Sequence, residues 1–578
     1  MYSNTTVKIP ELKGKIFFKP HKSTQYVQYQ YGSEYKPDKK YAIPHRTIIG
    51  KVCQDDNTLM YPNEKYKQYF PDVEVVEELP AAYRSCSLKI GPYAIINKII
   101  EEYGLYEMLM DQFGKNTGLI LDLVSFLIVE ENNAGQYYPN YAFNHPLFTE
   151  NMRIYSDSKV SRLLNNEITK DQCIGFLNEW NKNRDHTNRI YISYDSTNKN
   201  CDAGDISIVE FGKAKDEKGL PVFNVSIAMD KTNRVPLFYE EYPGSITDIS
   251  QFPFLVDKVN EYGYKKIGFI LDRGYFSKEN IQYLDDNNYS FVIMCKGCKE
   301  LVSSLVLSNR NSFESSRDCF VSPYKVYGKT VTAKLYEDDK KDRFFHIFFS
   351  TAKFSAERMK LENKLEEYKK FLEKNIGNDI QFGPLYTDYF QLYYNNGVLC
   401  SVKERTDAIE RELQLCGYFC LITSEEMTAA QALIHYKGRD ISEKLFRADK
   451  SFLGSRSERI HSSQSMSSKL FIEFIALIIR NRIYNLLKEQ MIRSNKKFNF
   501  MTVPAAISEL EKIEMVRINN GNYKLDHAVT KTQRIILSSF GMGKKNIIEI
   551  SKEISNTLAN SKDFTANEEQ SDAEEENN

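Results

Sequence analysis

Two short runs constrain this chain of 578 residues more than anything else in it. Ile190-Tyr-Ile-Ser-Tyr194 and Ile267-Gly-Phe-Ile-Leu271 are rich in apolar, β-branched and aromatic residues. Runs of this length and composition read as short strands inside a sheet, covered on both faces. Each stops at an aspartate. Asp195 is followed by Ser-Thr-Asn, and Asp272 by Arg-Gly-Tyr. In sheets covered by helices, ligand and catalytic groups collect at the C-terminal ends of strands. Two aspartates from neighbouring strands, joined by a glutamate from a helix, are what a two-metal phosphoryl-transfer site requires.

A candidate for that glutamate lies in Tyr436-Lys-Gly-Arg439-Asp-Ile-Ser-Glu443-Lys-Leu-Phe-Arg-Ala-Asp-Lys450. Read as a helix at 3.6 residues per turn, this stretch places Tyr436, Arg439, Glu443 and Lys450 on one face. Ile441, Leu445 and Phe446 fall off that line and can pack inward. A carboxylate there can hold a hard divalent cation, and the flanking cations can hold phosphates. On spacing alone, an amphipathic surface helix with a solvated charged face is the plainer reading. Glu473 is a rival carboxylate, but it sits in an apolar run without Tyr, Arg and Lys at matching spacing, where a packing role fits better.

Taken together, these stretches resemble the DDE transposases of bacterial insertion sequences, specifically the IS-four superfamily that includes the Tn-five transposase. That family carries a Tyr-(2)-Arg-(3)-Glu-(6)-Lys signature, and Tyr436, Arg439, Glu443 and Lys450 match it at every spacing. Phe211-Gly-Lys-Ala-Lys-Asp216, Tyr242-Pro-Gly-Ser-Ile-Thr-Asp248 and Asp272-Arg-Gly-Tyr275 match in the same order. Four ordered matches are a far stronger signal than any one of them. The resemblance covers residues 40 to 540 or so. It implies an enzyme that cuts DNA at the ends of an insertion sequence and joins them to target DNA by a cut-and-paste route. Asp195, Asp272 and Glu443 would hold two Mg²⁺ ions, with Mn²⁺ able to substitute. Tyr436, Arg439, Lys450 and Arg273 would contact DNA, although a structural ion pair explains Arg273 equally well. The expected partners are the terminal inverted repeats, target DNA and a second copy of the chain assembled on the DNA ends. The family's insertion Trp, which holds a flipped base, has no counterpart here. The one Trp is Trp180, so a Tyr or Phe must hold such a base, or the step differs.

The resemblance also organises the chain. The expected class is α/β, a ribonuclease-H-like catalytic core interrupted by a β-rich insertion, with an N-terminal β module and helical flanking regions. Residues 1–87 form the β module, with strands at Tyr26–Tyr31 and Thr47–Val52. Residues 88–188 are helical and suit DNA-end binding, although a solvated bundle explains the same residues nearly as well. Residues 189–290 start the core. Strands at 222–229 and 236–242 are joined by the hairpin turn Asp230-Lys-Thr-Asn233, then a helix over 248–262 leads to the strand ending at Asp272. In a ribonuclease-H-like order the first and fourth strands are neighbours, which would bring Asp195 and Asp272 together. The 170 residues between Asp272 and Glu443 exceed one connection, so an insertion is expected over 291–416. Residues 417–492 then complete the core, 493–560 form a helical region and 561–578 an acidic disordered tail.

Composition bounds this reading. The net charge of −1 argues against a uniformly basic nucleic-acid binder. Seven of the acids lie in the tail from Asp563 to Asn578, and the rest of the chain stands at +6. DNA contacts must therefore be local patches. Arg480, Arg482, Lys488, Arg493, Lys496 and Lys497 make the densest basic run of the C-terminal half, readable as a solvated face or as phosphate contacts. Cys295-Lys-Gly-Cys298 is the one CxxC, and no second pair completes a zinc site. The scattered thiols, the opening Met-Tyr-Ser-Asn-Thr-Thr and the lack of a long apolar span point to a cytoplasmic protein without a membrane partner, and the resemblance implies a bacterial, nucleoid-associated one. Two other classes fit the same residues: a domesticated DNA-binding relative that no longer transposes, and a ribonuclease-H-like nuclease without strand transfer.

Overall fold

The computed structural model describes residues 2, 6–21, 24–37, 40–53, 56–71, 73, 84–201, 206–212, 219–295, 299–339, 341–439, 450, 457–458, 460, 462–496, 498–518 and 521–560. Glu443, Cys298, most of the 211–216 stretch and the acidic tail lie outside the described residues. The chain is mixed α/β, with several sheets and many helices.

The largest sheet has ten strands. Its first five in chain order are β1 (Ile190–Cys201), β2 (Val222–Asp230), β3 (Val235–Pro243), β4 (Ile267–Leu271) and β5 (Ser290–Met294). In space they run β3-β2-β1-β4-β5. β1, β4 and β5 are parallel, while β2 is antiparallel to both β1 and β3. The β2–β3 turn forms because the Asp230 carboxylate accepts the N–H groups of Thr232 (2.7 Å) and Asn233 (3.1 Å), a local bond that Asp makes readily in turns. A parallel neighbour needs a crossover, and helix α1 (Asp248–Glu261) supplies it between β3 and β4.

β1 runs well past the apolar segment. Ser196 to Asn200 are polar yet buried, and they stay in the ladder from Asp195 opposite Ile227 to Asn200 opposite Val222. A polar tail of this kind carries no strand signal in its own sequence. Its burial is made possible partly from far away. Lys199 is 1% exposed and its Nζ lies 2.6 Å from a carboxylate oxygen of Glu473, itself 2% exposed. Glu473 belongs to the long helix α3 (Ser463–Ser494), which lies against β3 and against the almost wholly buried helix Thr117–Glu130. Phe471 of α3 meets Phe113 and Phe176 of the N-terminal helices, joining both regions in one core.

Beyond β5 the sheet continues through Tyr418–Thr423, Arg343–Phe349, Val326–Ala333 and Phe320–Val321. The first strands of the expected insertion thus extend the core sheet. A smaller unit follows, with the helix Thr351–Lys374, the hairpin Phe390–Asn395/Val398–Glu404 and the helix Thr406–Leu415 around Leu365, Leu372, Phe390 and Ile409. The N-terminal segment forms a separate five-stranded antiparallel sheet around Val27, Ile49, Val52, Met60 and Tyr66. Among the described residues, no helix is long and apolar enough to cross a membrane.

Removing one partner of a buried ion pair costs about 3–5 kcal/mol, because the other charge is left in a low-dielectric interior. Glu473→Gln should therefore lower the urea midpoint strongly, and Lys199→Met with Glu473→Leu should recover most of it. An unchanged midpoint in Glu473→Gln would show that the pair does not hold α3 to β1.

Candidate active site

The β1–β4 register places the two aspartates. Tyr194 is opposite Leu271, so Asp195 and Asp272 occupy the next positions on adjacent parallel strands, about 4.8 Å apart in the hydrogen-bonding direction. Side chains alternate between faces. Tyr194 and Leu271 enter the main core, whereas Ile270 faces the other side, where it packs with Leu433 and Tyr436. Asp272 and Asp195 share that second face by parity. Asp195 is half-buried, and one of its oxygens accepts the Ser196 N–H at 3.0 Å. Asp272 ends the strand and caps the short 3₁₀ turn Arg273–Tyr275, accepting the Arg273 N–H at 2.8 Å. The Arg273 side chain is exposed.

Helix α2 (Ala429–Lys437) covers this face. It starts at a capping box made by Thr428 and Gln431. The sequence reading extends one helix from Tyr436 to Lys450, but α2 stops at Lys437 and the chain turns at Gly438, with the Arg439 N–H bonded to the Tyr436 carbonyl at 3.1 Å. The physical reason lies on another strand. Lys231, in the β2–β3 turn, donates to the Ile434 and His435 carbonyls at 3.2 and 3.1 Å. These are last-turn carbonyls, which a cation satisfies well. A Cβ at Gly438 would lie 1.9 Å from the Lys231 Cε, so a larger residue there would push the end of this lysine aside.

The turn still brings Tyr436 and Arg439 together. The Tyr436 hydroxyl lies 3.4 Å from Asp272 Oδ1, and Arg439 Nη1 lies 3.1 Å from the same oxygen. The Arg439 guanidinium is 5.5 Å from the centre of the Tyr436 ring. Three donors thus converge on one oxygen of Asp272. Lys450 is helical and half-buried. Glu443, expected as the third carboxylate, lies outside the described residues. Trp180 is fully buried and donates to the Pro236 carbonyl at 2.9 Å, which removes it from any role on DNA. In the basic run of α3, Arg480 is buried 3.7 Å from Glu131, and Arg482 pairs with Glu102 at 2.6 Å. These two contacts favour carboxylate partners over phosphate.

Spacing gave no sign of Lys231. It stands inside the turn that the sequence marks, yet its reach across to α2 depends on the tertiary fold. His435 packs against Tyr191 with ring centres 4.2 Å apart and the rings tilted by 35°, and its Nδ1 lies 3.4 Å from Lys231 Nζ. Burial, with Lys231 and Arg189 adding to it, lowers the His435 imidazole to about 4. Burial lowers Lys231 to about 8.

Two outcomes are expected. The unfolded chain takes up a proton at His435 near its ordinary value of 6.5, before the folded chain does. Stability should therefore fall as the pH drops from about 6.5 towards 4, and His435→Gln should flatten that slope in urea titrations. Equal slopes would remove His435 as a contributor. Lys231→Met should speed amide exchange over residues 434–439, because the Ile434 and His435 carbonyls keep the Gly438 N–H but lose the ammonium donor. Unchanged exchange there would mean that the turn at Gly438 forms without this lysine.

Comparison with known proteins adds one family. Residues 200–479 match the family model described as transposase DDE domain. Asp272 and Glu443 fall inside that span, and Asp195 lies just before it. No curated protein matches. The solved structure of a piggyBac transposase synaptic complex with hairpin DNA is 8% identical, with a TM-score of 0.32, and the likeness covers 80% of this chain and 82% of that one. That likeness is too distant to carry an argument. The family match supports a DDE transposase.

Proposed function

We propose that this chain is a DNA transposase of the IS-four superfamily, Tn-five-like, which cleaves insertion-sequence ends and transfers them into target DNA by cut-and-paste. The observation that carries the reading is the placement of Asp195 and Asp272 side by side, with Tyr436 and Arg439 both reaching Asp272. The strand order β3-β2-β1-β4-β5, with β2 antiparallel, supports a ribonuclease-H-like core. On this reading 189–290 and 417–492 make the core, 291–416 the insertion, 1–87 and 88–188 the DNA-end modules, and 493–560 the C-terminal helical region. The protein works in the bacterial cytoplasm, as a dimer on DNA ends.

The residues suit a hard divalent cation. Carboxylate oxygens are its preferred donors, and the register puts Asp195 and Asp272 at adjacent positions of neighbouring strands. Asp195, Asp272 and Glu443 would hold two Mg²⁺ ions, or Mn²⁺ in their place. When bound, such ions activate the attacking hydroxyl and stabilise the leaving oxygen of an in-line displacement at phosphorus. The protein's own part is positioning. Arg439 and Tyr436 exchange Asp272 for the phosphate backbone when DNA enters, and the guanidinium can meet phosphate with two parallel bonds. Lys450 and Arg273 add charge around the cut.

The test is cleavage of labelled DNA that carries the ends flanking this gene, with Mg²⁺. Wild type should cut at the element end. Asp195→Ala, Asp272→Ala and Glu443→Ala should each lose cutting while keeping DNA binding. Cutting retained in any one of them would exclude that residue from the metal site. Binding without cutting by wild type, in Mn²⁺ as well as Mg²⁺, would favour a DNA-binding relative instead.

A further inference from the structure

Among the described residues, one group of three can bring His and carboxylate ligand atoms within 4.8 Å of one another: Glu130, His145 and Glu511. None of them belongs to the strands or the helix that carry Asp195, Asp272 and Tyr436. Glu130 is the last residue of the helix Thr117–Glu130. His145 follows the helix Tyr138–Asn144, and Glu511 follows Val503–Leu510.

The histidine is what makes this more than an acidic cluster. Its ring is 1% exposed and stacks on Tyr141 at 4.1 Å. Nδ1 lies 2.8 Å from the Tyr141 carbonyl. A carbonyl can only accept, so Nδ1 carries a proton. In the neutral ring Nε2 then holds the lone pair, the arrangement a backbone carbonyl imposes on metal-bound histidines. Nε2 is buried without a hydrogen-bond partner. It points at Glu511, whose nearer oxygen is 3.8 Å away, too far for a hydrogen bond. Ligand atoms sharing a tetrahedral Zn²⁺ lie roughly 3.4 Å apart, given bond lengths near 2.1 Å. Small side-chain movements would close the site. Glu130 is exposed, so the remaining position faces water. Lys89 pairs with this glutamate, its Nζ lying 2.8 Å from Glu511 Oε1.

We propose that Glu130, His145 and Glu511 bind one divalent transition cation of the Zn²⁺ class, competing with the Lys89 ammonium for Glu511. One imidazole with two carboxylates suits Zn²⁺, which binds such sets more tightly than the earlier divalent metals. The bound ion ties the helices around residues 117–145 to the segment after residue 510. This site does not rest on the transposase reading.

The experiment uses the full chain carrying Asp195→Asn, Asp272→Asn and Glu443→Gln, so that the other carboxylates do not compete. After chelator treatment, Zn²⁺ is titrated by competition with a chromophoric chelator, and thermal unfolding is followed with and without the ion. One Zn²⁺ per chain and a raised Tm are expected. Glu130→Gln, at an exposed position where folding is not at risk, should weaken binding about tenfold or more. Lys89→Met should tighten it. His145→Asn should abolish it, and circular dichroism checks that this variant folds. Absence of saturable Zn²⁺ uptake, or uptake that Glu130→Gln leaves unchanged, would overturn the proposal.

Discussion

Everything at the candidate active site depends on the parallel pairing of β1 with β4. With Leu271 opposite Tyr194, the next residue on each strand is an aspartate, and both fall on the face that α2 covers. A slip of one residue in β4 would send Asp272 to the opposite face and Leu271 towards α2. The register is held by what lies behind it. Tyr194, Phe269 and Leu271 are fully buried in the main core, while Ile270 is fully buried beneath α2. Either set would be stranded by a slip, so two apolar interfaces act together to fix the position of two charges.

The second constraint is the end of α2. A helix that continued through Arg439 would carry that guanidinium away in a fixed helical direction. Lys231 takes up the last-turn carbonyls, Gly438 leaves space for it, and the chain turns so that Tyr436 and Arg439 meet on Asp272. The cost is a lysine and a histidine held close together in a partly buried place, both with depressed proton affinities. Arg439 balances the charge of Asp272. On the proposed reading, the same guanidinium is the group that would meet a phosphate.

A third feature supports the sheet from behind. The polar half of β1 is buried where β2 continues its ladder, where residues 457–458 pair along Asn200 and Cys201, and where α3 brings Glu473 to Lys199. The long helix thereby links the strand that carries Asp195 to the N-terminal helices. Glu473 serves packing through an ion pair, which agrees with its place in an apolar run.

The apolar segments that lead to Asp195 and Asp272, the hairpin turn at Asp230 and the long helix from residue 469 onward are legible in the sequence, whereas the continuation of β1 to Cys201 and the first helical turns from Ser463 are not. Each legible element rests on local pattern: β-branched runs, a turn-forming Asp, a helical apolar repeat. The pairing of Tyr436 with Arg439 is also local, since a separation of three residues brings them together in a helix or in the turn that replaces it. What the sequence could not reveal are the contacts between residues distant along the chain. The polar stretch after Asp195 looks like a loop until Glu473 arrives, and α2 looks continuous until Lys231 reaches its end. His145 looks like any lone histidine until Glu511, far along the chain, comes to face its Nε2. Periodicity and composition report the preferences of a segment for water or for a core. Which charge meets which is decided by the packing of segments against one another, and only the tertiary structure contains it.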